Sequence, residues 1–436
     1  MPSTHTVSVR RLPVDTEALG YFRFGKLAGG VILTNEVGQW QHVTEDTFHD
    51  LLAGRIDAEH EAYQDLATRG FMRDAVDLEA MADHMRRRKR SVGMGPSLHC
   101  IDLGGAEAPL RVEVAKQVLD HVMLSTSAQL TFRVDGRSGH IAADTLAFIV
   151  QYATEKNRYE GKALTYELEV QSAELTADVL DVVTSKGFNI RLHVDLGASP
   201  AGLDALKTAM ANHRKAGHVE LVVHIHEATE DASALLHMAE QVGAPSIHAV
   251  PGPNVSVDAF RGTYRAILHA LTHSDAGVTE RGAATMLVRA TQTDDPAGDI
   301  PRSPSSVGTA TFAYDVNGGI FPSLDAARAA ADGDDLFLIG RVGEISYKET
   351  VSHATVRALT MASLLECLPG FQDRWSTPFC GVDPVASYLE HGDMFVNAST
   401  SRSAACQHAA AETVFEMLVA GSGDAHARLL GFADPA

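Results

Sequence analysis

Cysteine is scarce in this chain, and what there is lies scattered. The 436 residues include four, Cys100, Cys367, Cys380 and Cys406, and no two lie within three positions of each other, so no C-x-x-C or tighter chelating unit exists. An iron–sulfur cluster takes about four thiolates; the total would suffice for one, but the separations argue against it. No disulfide framework is implied. The start, Met1-Pro-Ser-Thr-His-Thr-Val, is polar with no apolar signal region, which fits a reducing, cytoplasmic setting. Long apolar runs are missing too: none approaches the roughly 18 residues of a membrane span. Cations are in deficit, with 36 Lys and Arg against 56 Asp and Glu and a formal charge of −20. That charge repels phosphate backbones and anionic lipid alike, so neither nucleic acid nor a membrane is an expected partner. The phosphate-cradling G-x-x-x-x-G-K-[ST] loop, the G-x-S-x-G elbow and the H-E-x-x-H helix are also absent, and the mechanisms they stand for lose support.

What remains is a chain with 45% hydrophobic residues, enough for one large core or several small ones. Residues 20–75 suggest a compact first unit. Three short strand-like runs, Tyr21–Phe24, Val31–Thr34 and Trp40–Val43, are separated by Gly25, Gly29-Gly30, Asn35 and Gly38, and two helices follow. Thr44 reads as the N-cap of the first, with Gly54 at its stop, and the second should cover about Ala58 to Thr68. Such a unit suggests a small winged-helix fold whose open strand edge accepts a peptide as an added strand; a simple N-terminal cap on the next domain is the alternative. The basic run Arg86-Arg87-Arg88-Lys89-Arg90 follows a helical face marked by Leu78, Met81, Ala82 and Met85. It reads as a solvated helix C-terminus favoured by the helix dipole, or as a docking patch.

From residue 96 to about 285 strands and helices alternate. Strands are expected at Leu98–Leu103, Leu130–Asp135, Thr165–Gln171, Ile190–Leu196, Leu221–Glu227 and Ser246–Val250, with helices between them such as Leu175–Ser185 and Ala234–Gln241. The rhythm predicts a parallel sheet, closed or partly closed into a barrel, with its chemistry at the C-terminal strand ends. Pro296, Gly298, Pro301 and Pro304 then mark a loop or boundary. Phe312–Val316, Asn317-Gly318-Gly319 and Ile320–Pro322 read as a hairpin, and a helix is expected around Ala409–Val419.

Several segments carry a family resemblance. Tyr21-Phe22-Arg23-Phe24, Val31 through Trp40, Pro96-Ser97-Leu98-His99, Phe148 through Ala153, Phe312 through Gly318, Leu368-Pro369-Gly370 and Phe379 through Pro384 together resemble the radical SAM maturase, B type, of the His-Xaa-Ser peptide system. The resemblance runs in order through nearly the whole chain. It implies an α/β fold: a partial (β/α)6 radical-SAM-like barrel, an N-terminal winged-helix-like peptide-recognition unit and a C-terminal SPASM-like domain. The corresponding divisions are residues 1–90, 91–290 and 291–436, and the implied role is modification of ribosomally made peptides.

The family's active centre does not carry over. Where relatives place a C-x3-C-x2-C loop after the first barrel strand, this chain has Gly104-Gly105-Ala106-Glu107-Ala108-Pro109. The Gly-Gly-Glu-Pro that holds the amino end of S-adenosylmethionine is replaced by Gly136-Arg137-Ser138-Gly139. The C-terminal cluster cysteines fall on Ser305, Phe371 and Arg374; Cys380 remains and Cys406 is a further candidate. On this footing neither an iron–sulfur cluster nor S-adenosylmethionine is an expected cofactor, and Cys380 and Cys406 read as small buried hydrophobes.

The vacated chamber is rich in imidazole and carboxylate. His193 and Asp195 stand at i and i+2 on one strand, His224 and His226 on the next, and His248 on the one after, so each pair shares a face. Glu167, Glu169 and Gln171 do the same on the preceding strand, and the resemblance places Gln171 where relatives carry a SAM-contacting Asn. Such groups from adjacent strands suit zinc or iron; a hydrogen-bonded polar interior is the plainer expectation for a chain with 21 histidines. Two functional readings follow. The first is a pseudoenzyme of peptide maturation that binds a precursor peptide, an active radical SAM maturase as heteromeric partner, or both. The alternative is a metal-dependent peptide-modifying enzyme using His193, Asp195, His224, His226 and His248.

Overall fold

The computed structural model describes residues 14–434 apart from 140, 197–201, 213–216, 293–294, 296–297 and 299. The polar start and Pro296 therefore lie outside the described residues.

The first unit is a three-stranded antiparallel sheet in the order β1 (Arg23–Leu27), β2 (Gly30–Thr34), β3 (Trp40–Val43). Val31, Leu33 and Val43 bury one side against Phe48, Leu51, Leu66 and Phe71 from the helices that follow. Thr44 caps the helix Glu45–Leu52 by accepting from the Thr47 amide. The second helix is shorter than expected, Tyr63–Thr68, because Asp57 and His60 spend their acceptors on local turns at Glu59 and Ala62, a competition that favours turns over helix.

The helix Leu78–Arg88 carries the basic run in its last turn, but the run divides. Arg86 is exposed beside Asp83, whereas Arg88 turns inward and donates to the carbonyls of Pro378 and Glu36, and Lys89 pairs with Glu366 at 2.7 Å. The expectation of one solvated basic terminus is corrected accordingly: the loops of residues 36 and 366–378 cover one side of it.

The main sheet has ten strands in the order β10-β9-β8-β7-β6-β5-β4-β11-β12-β13: β4 (Leu98–Asp102), β5 (Gln129–Asp135), β6 (Ala163–Gln171), β7 (Asn189–Asp195), β8 (Val219–Ile225), β9 (Ser246–Pro251), β10 (Thr279–Glu280), β11 (Thr311–Tyr314), β12 (Gly319–Phe321) and β13 (Gly340–Arg341). From β10 through β11 every pairing is parallel, and the last two are antiparallel. The six expected central strands are all present to within about two residues. The hairpin of β11 and β12 is present as well, with Gly318 at φ +78 in its turn, but β11 also pairs with β4. The sheet thus runs on past residue 290.

One sheet face is apolar. Phe132, Val134, Leu168, Ile190, Leu192, Leu221 and Val223 pack beneath helices whose inner positions include Val118, Ile149, Val183 and Ile267, the sequestered apolar layer that a parallel sheet requires. The helix Arg402–Ala420 closes one side of the molecule. Its Phe415 lies 5.1 Å from Trp40, 5.3 Å from Trp375 and 4.7 Å from Phe379 between ring centroids, fastening the first unit to the C-terminal segment. Cys380 and Cys406 are free thiols, 8% and 1% exposed.

Candidate functional site

The opposite face of the parallel strands is polar. Register partners in a parallel pair share a face, so the pairings Arg133↔Glu167, Glu169↔Arg191, Arg191↔Glu220 and Gln171↔His193 align polar side chains row by row, charged in the first three. In the deeper rows these charges meet. Arg133 Nε donates to Glu167 Oε2 at 2.7 Å and Arg191 Nε to Glu169 Oε1 at 3.1 Å. Glu220 pairs with Arg191 and, at 3.1 Å, with Arg281. Arg137 lies above this floor, 2.8 Å from Asp135 and 3.0 Å from Glu169, and Arg328 of the helix Leu324–Ala331 reaches in to pair with Asp135. Burial opposes the Glu169 charge, but His193 and the guanidiniums of Arg133, Arg137 and Arg191 outweigh it, and its carboxyl is held well below the usual range.

Toward the C-terminal strand ends the pattern loosens. His193 Nδ1 and His224 Nε2 are 2.9 Å apart, one ring N–H donating to the other nitrogen, and the rings are stacked with centroids 5.2 Å apart. The remaining nitrogen of His193, Nε2, stands 3.7 Å from Glu169 Oε2, beyond hydrogen-bond length. Burial, reinforced by the neighbouring His193, pushes His224 down to about 4, so its ring is neutral at pH 7. Farther out, His226 Nε2 donates to Asp195 Oδ1 at 2.9 Å. A cavity of about 610 Å³ opens here, bounded by Arg137 and Ser138 after β5, Gln171 to Ala173 at the end of β6, the His193, His224, Asp195 and His226 cluster, and Arg328.

The structure therefore brings His193, Asp195, His224 and His226 to one mouth. His248 stands in the row of His193 but on the far side of Val222, which is the register partner of both, and it does not line that cavity. Among the described residues no group of three or more His, Cys, Asp or Glu is arranged to hold a metal ion, and the closest imidazole nitrogens are engaged with each other. No chemical step is derived through a metal.

The floor of ion pairs is a finding of the structure, because the sequence pattern alone does not tell paired charges from histidine-rich polar ends of the same strands. Its signal was present: Arg133 and Asp135, Glu167 and Glu169, and Arg191 and His193 alternate with apolar residues in strands that helices cover. Arg328 had no such signal, since only the fold brings it to Asp135. In the loop after β4, Gly104 has φ +69, a Cβ there would lie 2.1 Å from the Ala108 carbonyl oxygen, and the next helix begins at Val112.

No protein-family model and no curated protein sequence matches the chain. Solved structures do. The chain is similar to native anSMEcpe with bound AdoMet, at 10% identity and TM-score 0.56 over 78% of this chain and 100% of that one. The same protein with bound AdoMet and the Kp18Cys peptide matches at 10% identity and TM-score 0.57 over 78% and 99%. Streptococcus suis SuiB bound to S-adenosylmethionine aligns at 9% identity and TM-score 0.47 over 90% of this chain and 99% of that one. The chain thus has a radical-SAM-like α/β fold. The expectation that S-adenosylmethionine is not a cofactor is corrected by this finding: solved proteins of this fold hold AdoMet, and the missing Gly-Gly-Glu-Pro carboxylate does not exclude it. No helix among the described residues is long and apolar enough to cross a membrane.

Proposed function

We propose that the chain is a catalytically degenerate radical-SAM-like protein of ribosomal peptide maturation, which binds S-adenosylmethionine at the mouth of a partial barrel without cleaving it and a precursor peptide on its N-terminal unit. One observation carries the reading: the polar cavity of about 610 Å³ at the C-terminal strand ends, on a fold that solved proteins use to hold AdoMet. The volume lies in the range of about 300–1,000 Å³ usual for small-ligand sites. Arg328, whose side chain is 42% exposed, suits the carboxylate of such a ligand. Asp195, 67% exposed, suits its ammonium or sulfonium. Degeneracy is supported by residues 103–111, between β4 and the next helix, which contain no cysteine, and by Cys100 lying buried within β4 itself.

Peptide binding is supported by the edges of the β1-β2-β3 sheet and by Tyr21 and Phe24, which are 48% and 52% exposed beside and on β1. Strand addition at such an edge takes its affinity from main-chain hydrogen bonds. A cluster-bearing radical SAM maturase, as heteromeric partner, supplies the chemistry that this chain forgoes.

Calorimetric titration of AdoMet into the full chain tests the reading, together with chromatography for 5′-deoxyadenosine after cluster reconstitution and reduction. Saturable binding without the nucleoside is the expected result. Formation of the nucleoside would overturn the degeneracy, and absence of binding would overturn the cofactor.

A second reading, a metal-dependent peptide-modifying enzyme, draws on the convergence of His193, Asp195, His224 and His226 at one mouth, where a metal would have to replace the hydrogen bond between His193 and His224. Stoichiometric zinc or iron after purification without chelators would support it, and a metal-free protein that takes up neither would end it.

A further inference from the structure

A second polar chamber lies where the three parts of the chain meet, remote in sequence from the mouth. It has room for about 30 Å³, roughly twice the 10–15 Å³ that one water requires. Its walls come from the β2–β3 loop, the end of the helix Leu78–Arg88, the helix Arg281–Thr291 and the loops around residues 302 and 366–380.

Its charges do not balance. Glu36 is taken by Arg23 at 2.6 Å and Glu366 by Lys89 at 2.7 Å. Asp295 lies 2.8 Å from Arg289 Nε and 3.7 Å from Arg302 Nη1. Arg88 has carbonyl partners only, at Glu36 and Pro378. Among the described residues the lining thus carries two more cations than carboxylates. Arg289 and Arg302 are 1% and 3% exposed, and among the described residues Arg289 Nη2 and Arg302 Nη1 have no hydrogen-bond partner. Donors buried and unanswered in this way are costly, more so on charged groups. Burial and mutual repulsion act in the same direction: Arg88 is driven down to about 10, with desolvation as the main cause and Arg289 adding to it.

We propose that this chamber binds one small inorganic anion of halide size, which answers the free guanidinium donors and ties the N-terminal unit, the sheet domain and the C-terminal segment together. The size excludes a nucleotide or a peptide carboxylate. The unanswered donors of Arg289 and Arg302, with the Arg88 charge beside them, give the charge-assisted hydrogen bonds that an anion without its own protons takes up. The inference is independent of the ligand proposed for the mouth.

The test is thermal unfolding of the full chain at constant ionic strength, with chloride replaced stepwise by gluconate, an anion too large for the chamber. Binding to the folded state alone raises the midpoint with saturation; a rise of about 2–4 °C corresponds to a modest site. Arg302→Met should lose more than half of that chloride-specific rise. An equal midpoint in both salts, or an undiminished rise in Arg302→Met, would overturn the proposal. Should that variant not fold, anomalous scattering from bromide-soaked crystals of the unmodified chain decides. A peak in the chamber supports the anion, and density for water alone contradicts it.

Discussion

On the polar face of the large sheet, Arg133, Glu169, Arg191 and Glu220 are each 5–6% exposed and held in ion pairs that run from strand to strand. At the ends of the same strands, Asp195 and His226 are 67% and 49% exposed and border a cavity of about 610 Å³. The floor has every charge answered by a neighbour, so it holds shape and has nothing left to offer a ligand. The mouth keeps donors and acceptors in reach of solvent, and only there can a small molecule replace water without breaking the fold. Sharing a face and a residue vocabulary does not give two regions the same work.

The largest effect should come from breaking the floor. Glu169→Ala removes the buried carboxylate that Arg133, Arg137 and Arg191 share, leaving Asp135 to hold Arg137 and Glu220 to hold Arg191, and breaking a buried ion-pair network in this way typically costs about 3–5 kcal/mol. Chemical denaturation of the variant should show that loss. His226→Ala at the mouth should shift stability by no more than about 0.5 kcal/mol. Similar losses at both positions would erase the distinction between the regions.

Ligand affinity should sort the other way. Arg328→Ala removes a half-exposed cation from the rim while Asp135 keeps Arg137. AdoMet affinity in calorimetry should fall about tenfold, the equivalent of about 1.4 kcal/mol, with unfolding little changed.

The two regions should also differ in pH response. Glu169 has a folded pKa below its unfolded value of about 4.3, so its contribution is complete above that value and is lost as pH falls through the lower folded one. Denaturation of Glu169→Gln against the parent should give a gap that is constant from about pH 6 to 8 and narrows below about pH 4. His224 has a folded pKa of about 4 against 6.5 unfolded. Its contribution as a neutral ring is complete above about 6.5 and declines as pH falls toward 4, so His224→Asn should flatten the stability profile in that window alone. A profile for His224→Asn parallel to the parent would remove the neutral imidazole from the account.

The smallest effect is expected away from both regions. Lys26 and Glu45 pair at 2.9 Å with side chains 86% and 52% exposed, and Lys26→Ala should leave the midpoint of chemical denaturation where it is in the parent.

How much of this the sequence disclosed depended on range. The alternation of apolar and polar residues located β5 to β9 closely, because a strand's two faces are written in adjacent residues. The same alternation placed His193 with Asp195 and His224 with His226, and their convergence at the mouth follows from register. It could not reveal that His193 and His224 would engage each other. The inward turn of Arg88 was hidden too, since residue 378 and the Glu36 loop that receive it lie far along the chain. The short second helix of the N-terminal unit was lost to local side-chain competition at Asp57 and His60.

Amide hydrogen exchange of the full chain with and without saturating AdoMet tests the central claim most directly. Protection is expected at residues 136–139, 171–174 and 193–196, which surround the mouth, with no change in the sealed middle of β6 and β7. Absence of protection at the mouth, or protection confined to other parts of the chain, would contradict it.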